Sequence, residues 1–178
     1  IIAGSARSRR LVGPPGLTTR PMTDRVRESL FSSLAAWLPD SVVIDLYAGT
    51  GSMGLEALSR GAADVTFVER DRQALIALRK NIETVGLGGR VVAGDVDSLL
   101  DRGHEPVDRI FVDPPYAVAL PSLMETMAKL PSLLANDGLV VVHRRSGEEA
   151  PEHIAGLSLV AQREYGSAVL WRYTKESN

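Results

Sequence analysis

The feature that most constrains this chain is a short apolar run, Val-Val-Ile-Asp-Leu, that breaks into glycine at residues 49, 51 and 54 and then resumes with helical spacing. Residues 41–46 are β-branched and apolar enough for a buried strand, and residues 52–60 offer Met53, Leu55, Ala57 and Leu58 to a helix interface. The glycines between them permit the tight turn that a strand-to-helix corner needs. The unit then recurs. Residues 65–68 read as a second strand, and Asp71 as the N-cap of a helix over 72–85 whose Leu75, Leu78, Ile82 and Val85 share one face before Gly86 ends it. Strands over 90–93 and 109–112, a helical turn near 96–100, a helix over 121–134 and a strand over 139–143 after Asn136-Asp137-Gly138 continue the alternation. Residues 157–164 and 168–173, separated by Tyr165-Gly166-Ser167, predict a hairpin. Strands alternating with helices predict an α/β fold with a doubly wound, mostly parallel sheet of about seven strands and an antiparallel C-terminal edge.

Ahead of this body, residues 23–37 predict an amphipathic helix with Val26, Leu30, Phe31, Leu34 and Trp37 as its apolar stripe. Residues 1–20, rich in Gly, Pro, Ser and Arg, predict a small hairpin or a flexible arm. The division expected is an N-terminal extension over 1–40 and a main domain over 41–178. Because the chain begins at Ile1 and not Met, further native residues are expected before it. Charge is divided the same way. Residues 1–30 hold six arginines against Asp24 and Glu28, a net of +4, whereas the rest carries a net of −6. A basic arm on an acidic body points to a polyanionic partner held at one end. No apolar run approaches the ~18 residues that cross a bilayer, so no membrane role is expected. The absence of cysteine excludes disulfides and thiolate metal sites and fits a reducing cytoplasm.

Two constellations carry chemistry. The first is the loop over residues 45–54, at the carboxyl end of the first strand, where glycines admit close approach of a ligand to the backbone and a helix begins. It spells G-x-G-x-x-G, and Glu69 follows Gly49 by twenty residues, a pattern that also suits a dinucleotide enzyme. Asp45 separates the readings. Its carboxylate repels a pyrophosphate and favours a cationic ligand such as the methionine ammonium of S-adenosylmethionine. Asp95, after the third strand, is placed to accept from an adenine amine, with Val96 as an apolar wall. The second constellation is Asp113-Pro114-Pro115-Tyr116, directly after the fourth strand. Two prolines stiffen the corner and fix the Asp113 carboxylate and the Pro114 carbonyl as acceptors for an exocyclic base amine, and Tyr116 offers a stacking face.

These residues, in this order, resemble the class I S-adenosylmethionine-dependent methyltransferases that modify exocyclic amines, over residues 41–145. The segment 20–31, Arg-Pro-Met-Thr-Asp-Arg-Val-Arg-Glu-Ser-Leu-Phe, is similar to the N-terminal signature of the RsmD family of bacterial 16S rRNA guanine-N2-methyltransferases. That family more often has Thr where Met22 stands here. The resemblance implies a Rossmann-like fold and methylation of guanine 966 in the assembling small ribosomal subunit, by a cytoplasmic monomer that needs no metal. It implies that Asp45, Gly49, Gly51 and Gly54 hold the methionine part, Glu69 the ribose, and Asp95 and Val96 the adenine, with Tyr47, Thr50, Arg70 and Asp113 also at the cofactor. Asp113, Pro114, Pro115 and Tyr116 would orient the guanine. Arg7, Arg9, Arg10, Arg20, Thr23, Arg25, Arg144 and Arg145 would meet rRNA, while His143 reads as structural.

Three rivals remain at this point. An adenine-N6 methyltransferase shares Asp-Pro-Pro-Tyr but usually carries a larger target-reading region than the roughly forty residues outside this core. An NAD-linked oxidoreductase leaves Asp45 unexplained. A catalytically inert RNA-binding protein could retain the fold.

Overall fold

A computed structural model describes residues 1–14, 22–102 and 104–176. Its strands are β1 (Val42–Leu46), β2 (Asp64–Glu69), β3 (Arg90–Ala93), β4 (Val107–Val112), β5 (Leu134–Arg145), β6 (Leu157–Tyr165) and β7 (Ala168–Lys175). They form one sheet in the order β3-β2-β1-β4-β5-β7-β6. Strands β1 to β5 run parallel, and β7 lies antiparallel between β5 and β6. The chain moves outward from β1 to β3 and then crosses back to β4, so the order of winding reverses between β1 and β4. At such a switch the loops beyond the carboxyl ends of the strands diverge and leave a crevice.

The helices are α1 (Asp24–Ser33), α2 (Ser52–Ser59), α3 (Arg72–Val85), α4 (Val96–Leu100) and α5 (Leu120–Ala128). Side chains that otherwise sit poorly in a helix start several of them. Thr23 accepts from the Val26 N–H, Asp71 from Ala74 and Asp95 from Asp97, and Gly86 ends α3 at φ 72°. Successive strand residues point to opposite faces, so the sheet carries two cores. Val43, Phe67 and Phe111 pack with α1, α2 and α3 on one face, where Phe31 meets Phe111 edge-on at 5.5 Å. Ile44, Val68, Ile110 and Val112 pack with Leu123, Met127, Trp171 and Tyr173 on the other.

Four expectations are corrected. The helix expected over 121–134 stops at Ala128, and a 3-10 turn over Leu130–Ser132 follows. Pro131 lacks the N–H that an α-helix would donate back one turn. Strand β5 accordingly begins at Leu134, and Asn136-Asp137-Gly138 lie within it, where its pairing with β4 shifts register between Val107 and Arg109. Trp37, expected in the apolar stripe, is 55% exposed and stacks under the Arg109 guanidinium, 5.6 Å from the ring centre.

The fourth correction concerns residues 1–14, which form neither a hairpin nor a free arm. Their backbone is bound to polar side chains buried in α2 and α3. Glu56 accepts from the N–H groups of Ile2 and Ala3 at 2.7 and 3.1 Å, the Ser59 hydroxyl from Ala6 at 2.9 Å, and Asn81 from Val12 at 2.8 Å. Helix α1 is tied in as well, its Ser29 hydroxyl donating to Tyr165 at 3.0 Å and its Ser33 hydroxyl accepting from Arg172. Arg20 lies outside the described residues.

Candidate active site at the carboxyl edge of the sheet

Four carboxylates stand at the carboxyl ends of four neighbouring strands. Asp45 is the penultimate residue of β1, Glu69 ends β2, Asp95 follows β3 and Asp113 follows β4. Asp45 is 1% exposed and accepts from the Gly54 N–H at 2.8 Å. Burial raises its pKa well above the usual carboxylate range. The Gly54 N–H opposes that shift, and the nearby charges of Asp113 and Glu69 add to it. A buried carboxylate surrounded by others is a site that gains from a cation. Glu69 accepts from the Gly49 N–H at 2.8 Å with one oxygen and from the Arg70 and Asp71 N–H groups at 2.8 and 2.7 Å with the other. It thereby pins the glycine loop to the end of β2. Asp95 caps α4 and pairs with Arg70 at 3.0 Å on the open surface.

The three glycines of the loop do different things. Gly49 has φ 55°, and a Cβ there would meet nothing closer than the Tyr47 carbonyl at 4.0 Å, which leaves open space above the backbone. A Cβ on Gly54 would lie 2.3 Å from Phe67 and one on Gly51 2.5 Å from Leu78, so both are required for helix packing on the sheet. Tyr47 also sits at positive φ, 60°, and packs against the second core. Thr50 gives its carbonyl to Asn81 at 2.9 Å. Val96 is 4% exposed and belongs to the core beneath α4.

The corner over residues 113–116 is held from outside itself. The Asp113 N–H reaches back to the Leu46 carbonyl at 3.4 Å. Three consecutive residues at the end of β5 then each grip one part of it. His143 Nδ1 lies 2.7 Å from Asp113 Oδ1. The Arg144 guanidinium donates to the Val118 carbonyl at 2.9 Å and the Pro115 carbonyl at 3.5 Å, with Glu148 as its counter-ion at 2.8 Å. Arg145 lies over the Tyr116 ring, 5.1 Å from its centre. Beyond Tyr116 opens a cavity of about 660 Å³, walled by Thr23 and Arg25 of the α1 start, His143 and Arg145 of β5, and Gly166 at the hairpin tip. It is large enough to admit a nucleotide.

Arg144 corrects an expectation. It is 2% exposed and committed to the loop, so it is not presented to RNA, whereas Arg145 is exposed. Arg7, Arg9, Arg10 and Arg25 are also exposed, with Arg9 donating to the Thr84 carbonyl at 3.1 Å. Thr23 caps α1 at the cavity rim. Sequence reasoning passed over His143 as a partner of Asp113. The signal was available, since parallel pairing of β4 and β5 with Val112 opposite Val142 puts the next residues, 113 and 143, side by side.

Residues 1–174 match the model of a protein family described as conserved hypothetical protein 95. The chain is 38% identical over 180 residues to ribosomal RNA small subunit methyltransferase D of Escherichia coli K12, covering 99% of this chain and 90% of that one. Among solved structures, the Escherichia coli protein yhhF superposes with TM-score 0.88 at 39% identity, covering 100% of this chain and 98% of that one. A hypothetical protein of Thermus thermophilus does so with TM-score 0.85 at 32% identity, covering 99% and 98%. The glycine corner, the aspartate-proline corner and the α1 signature all fall within the matched span, and the chain belongs to this family, that of the ribosomal RNA small subunit methyltransferase D proteins.

Proposed function

We propose that this chain transfers a methyl group from S-adenosylmethionine to the exocyclic N2 of guanine 966 in 16S rRNA, acting as a cytoplasmic monomer on a small-subunit assembly particle. The observation that carries the reading is the row of Asp45, Glu69, Asp95 and Asp113 along the switch point, with a cavity large enough for a nucleotide opening beyond the Asp113 corner. The donor set fits the cofactor. Asp45 is a buried carboxylate whose pKa is raised by burial and by the nearby charges of Asp113 and Glu69, and an ammonium would supply the opposite charge that favours its ionised form. Among the described residues Glu69 Oε2 accepts only from the Gly49 N–H and keeps a lone pair for a ribose hydroxyl, and the space over Gly49 is free. The family relationship supports rRNA as the substrate.

When bound, S-adenosylmethionine presents a methyl group activated by a positive sulfur. The chain's own part is to hold the amine. Guanine N2 is a poor nucleophile because its lone pair is conjugated with the ring, and acceptors on its two N–H groups favour the geometry in which that lone pair faces the methyl. Asp113 Oδ2 and the Pro114 carbonyl are those acceptors, and the proline pair keeps them from turning away. As the N–C bond forms and the C–S bond breaks, the N2 proton becomes acidic and passes to Asp113 Oδ2 and then to water. Tyr116, steadied by Arg145, stacks on the base. Residues 1–40 form the RNA-contacting part and residues 41–178 the catalytic domain. Within the first part and along the cavity rim, Arg7, Arg9, Arg10, Arg25 and Arg145 meet phosphates.

The test is methylation of small-subunit particles, and of naked 16S rRNA, from cells lacking the native enzyme, followed by mapping of the product nucleoside. The expected product is N2-methylguanine at one position. N6-methyladenine in its place, or no transfer to either substrate, contradicts the reading.

A further inference from the structure

His143 lies at the end of β5 with its side chain 3% exposed, and its ring forms part of the cavity wall. Its Nδ1 makes the one hydrogen bond to the Asp113 side chain among the described residues, whereas its Nε2 is buried without a partner. The partners assign the proton. With hydrogen on Nε2 alone, a buried donor would go unmet and a lone pair would face a carboxylate oxygen. A hydrogen on Nδ1 satisfies the contact, with Nδ1–H donating to Asp113 Oδ1.

We propose that His143 is a positioning residue for methyl transfer: it holds Asp113 Oδ1, fixes the rotation of the carboxylate, and leaves Oδ2 as the acceptor that faces the target amine. The inference rests on the methyltransferase reading and adds to it a residue outside the Asp-Pro-Pro-Tyr motif. Carboxylate torsions are soft and broadly two-fold, so a lone aspartate on a rigid corner would still sample orientations that miss the amine. The prolines restrain the backbone, and His143 restrains what they cannot. Because Nδ1 carries its hydrogen and the other ring nitrogen, Nε2, is buried, His143 is not the acceptor of the N2 proton, which stays on Asp113 Oδ2 until water takes it. Arg144 and Arg145 brace the neighbouring carbonyls and ring, and neither hydrogen-bonds the Asp113 side chain.

Two variants separate orientation from packing. His143→Asn places an amide N–H where Nδ1–H stands, so it keeps the donor and loses volume. His143→Leu keeps volume and loses the donor. The readouts are kcat and KM on the rRNA substrate, the Kd for S-adenosylhomocysteine and the melting temperature. The expected result is a kcat drop on the order of 10- to 100-fold for His143→Leu with cofactor Kd within about twofold of wild type, and recovery of most of that loss in His143→Asn. His143→Gln, whose amide reaches one bond further out, should resemble Leu and serves if His143→Leu fails to fold. Leu or Gln as active as Asn overturns the proposal, as does a loss that appears wholly in cofactor Kd. An inactive wild-type protein would instead defeat the methyltransferase reading itself.

Discussion

The two halves of the crevice are built by different means. On the β1–β3 side each carboxylate accepts from the backbone of its own strand-to-helix corner, Asp45 from Gly54 nine residues on, Glu69 from Arg70 and Asp71, and Asp95 from Asp97, while Glu69 and Asp95 each also bond to the adjoining corner. On the β4 side the corner over 113–116 is gripped by His143, Arg144 and Arg145, some thirty residues away in sequence. Local backbone bonds make a rigid cradle for a ligand that is the same in every turnover. Side chains from a neighbouring strand make a clamp whose parts are separable, where a large substrate has to enter and leave. Substitutions in the cradle should therefore disturb binding or folding, and those in the clamp should disturb turnover.

The largest expected effect lies in the clamp. Asp113→Ala should lower kcat about 1000-fold while S-adenosylhomocysteine still binds within a few-fold of wild type by calorimetry, since its proposed contact is to the base. A parallel loss of cofactor binding would erase the distinction between the two halves.

Asp45→Asn is next and should do the reverse. Weakening of cofactor binding on the order of 100-fold is expected from loss of a buried ionic partner, with the free protein made more stable. The sign follows from burial. Because the folded-state pKa of Asp45 is raised, the folded form holds its proton to higher pH than the unfolded form does. The destabilising cost is absent below the unfolded value of about 3.9 and grows as pH climbs through the folded one. Melting temperatures of wild type and Asp45→Asn should thus converge in acid and separate toward neutral pH. A gap that closes as pH rises would contradict the buried-anion account.

Gly54→Ala tests the packing role of the loop. Its Cβ would meet Phe67 at 2.3 Å, and a loss of about 2 kcal/mol in a denaturant titration is expected. Smallest is Arg145→Ala, expected to raise KM for rRNA several-fold and to reduce the salt dependence of binding by about one phosphate contact. An unchanged salt slope would confine Arg145 to bracing Tyr116.

How much was legible beforehand follows the same division. The corners at Asp45, Glu69, Asp95 and Asp113 are local patterns of strand, turn and cap, so residues next to one another in sequence reveal them. The clamp is invisible until β4 and β5 are paired, because only the register of Val112 with Val142 sets His143 against Asp113 and turns Arg144 inward. Residues 1–14 show the same limit. Their glycine and arginine content reads as a loose arm, yet Glu56, Ser59 and Asn81, all buried polar side chains of other elements, bind their backbone. At Trp37 apolar periodicity continued past the end of the core, and at Pro131 it continued past the end of the helix.

The most direct test is a crystal structure of the protein with S-adenosylhomocysteine. The account predicts its ammonium against Asp45, its ribose hydroxyls on Glu69, and its sulfur facing the Asp113 corner with the cavity beyond. A ligand whose sulfur points away from Asp113, or one seated off the β1–β4 switch, would contradict it.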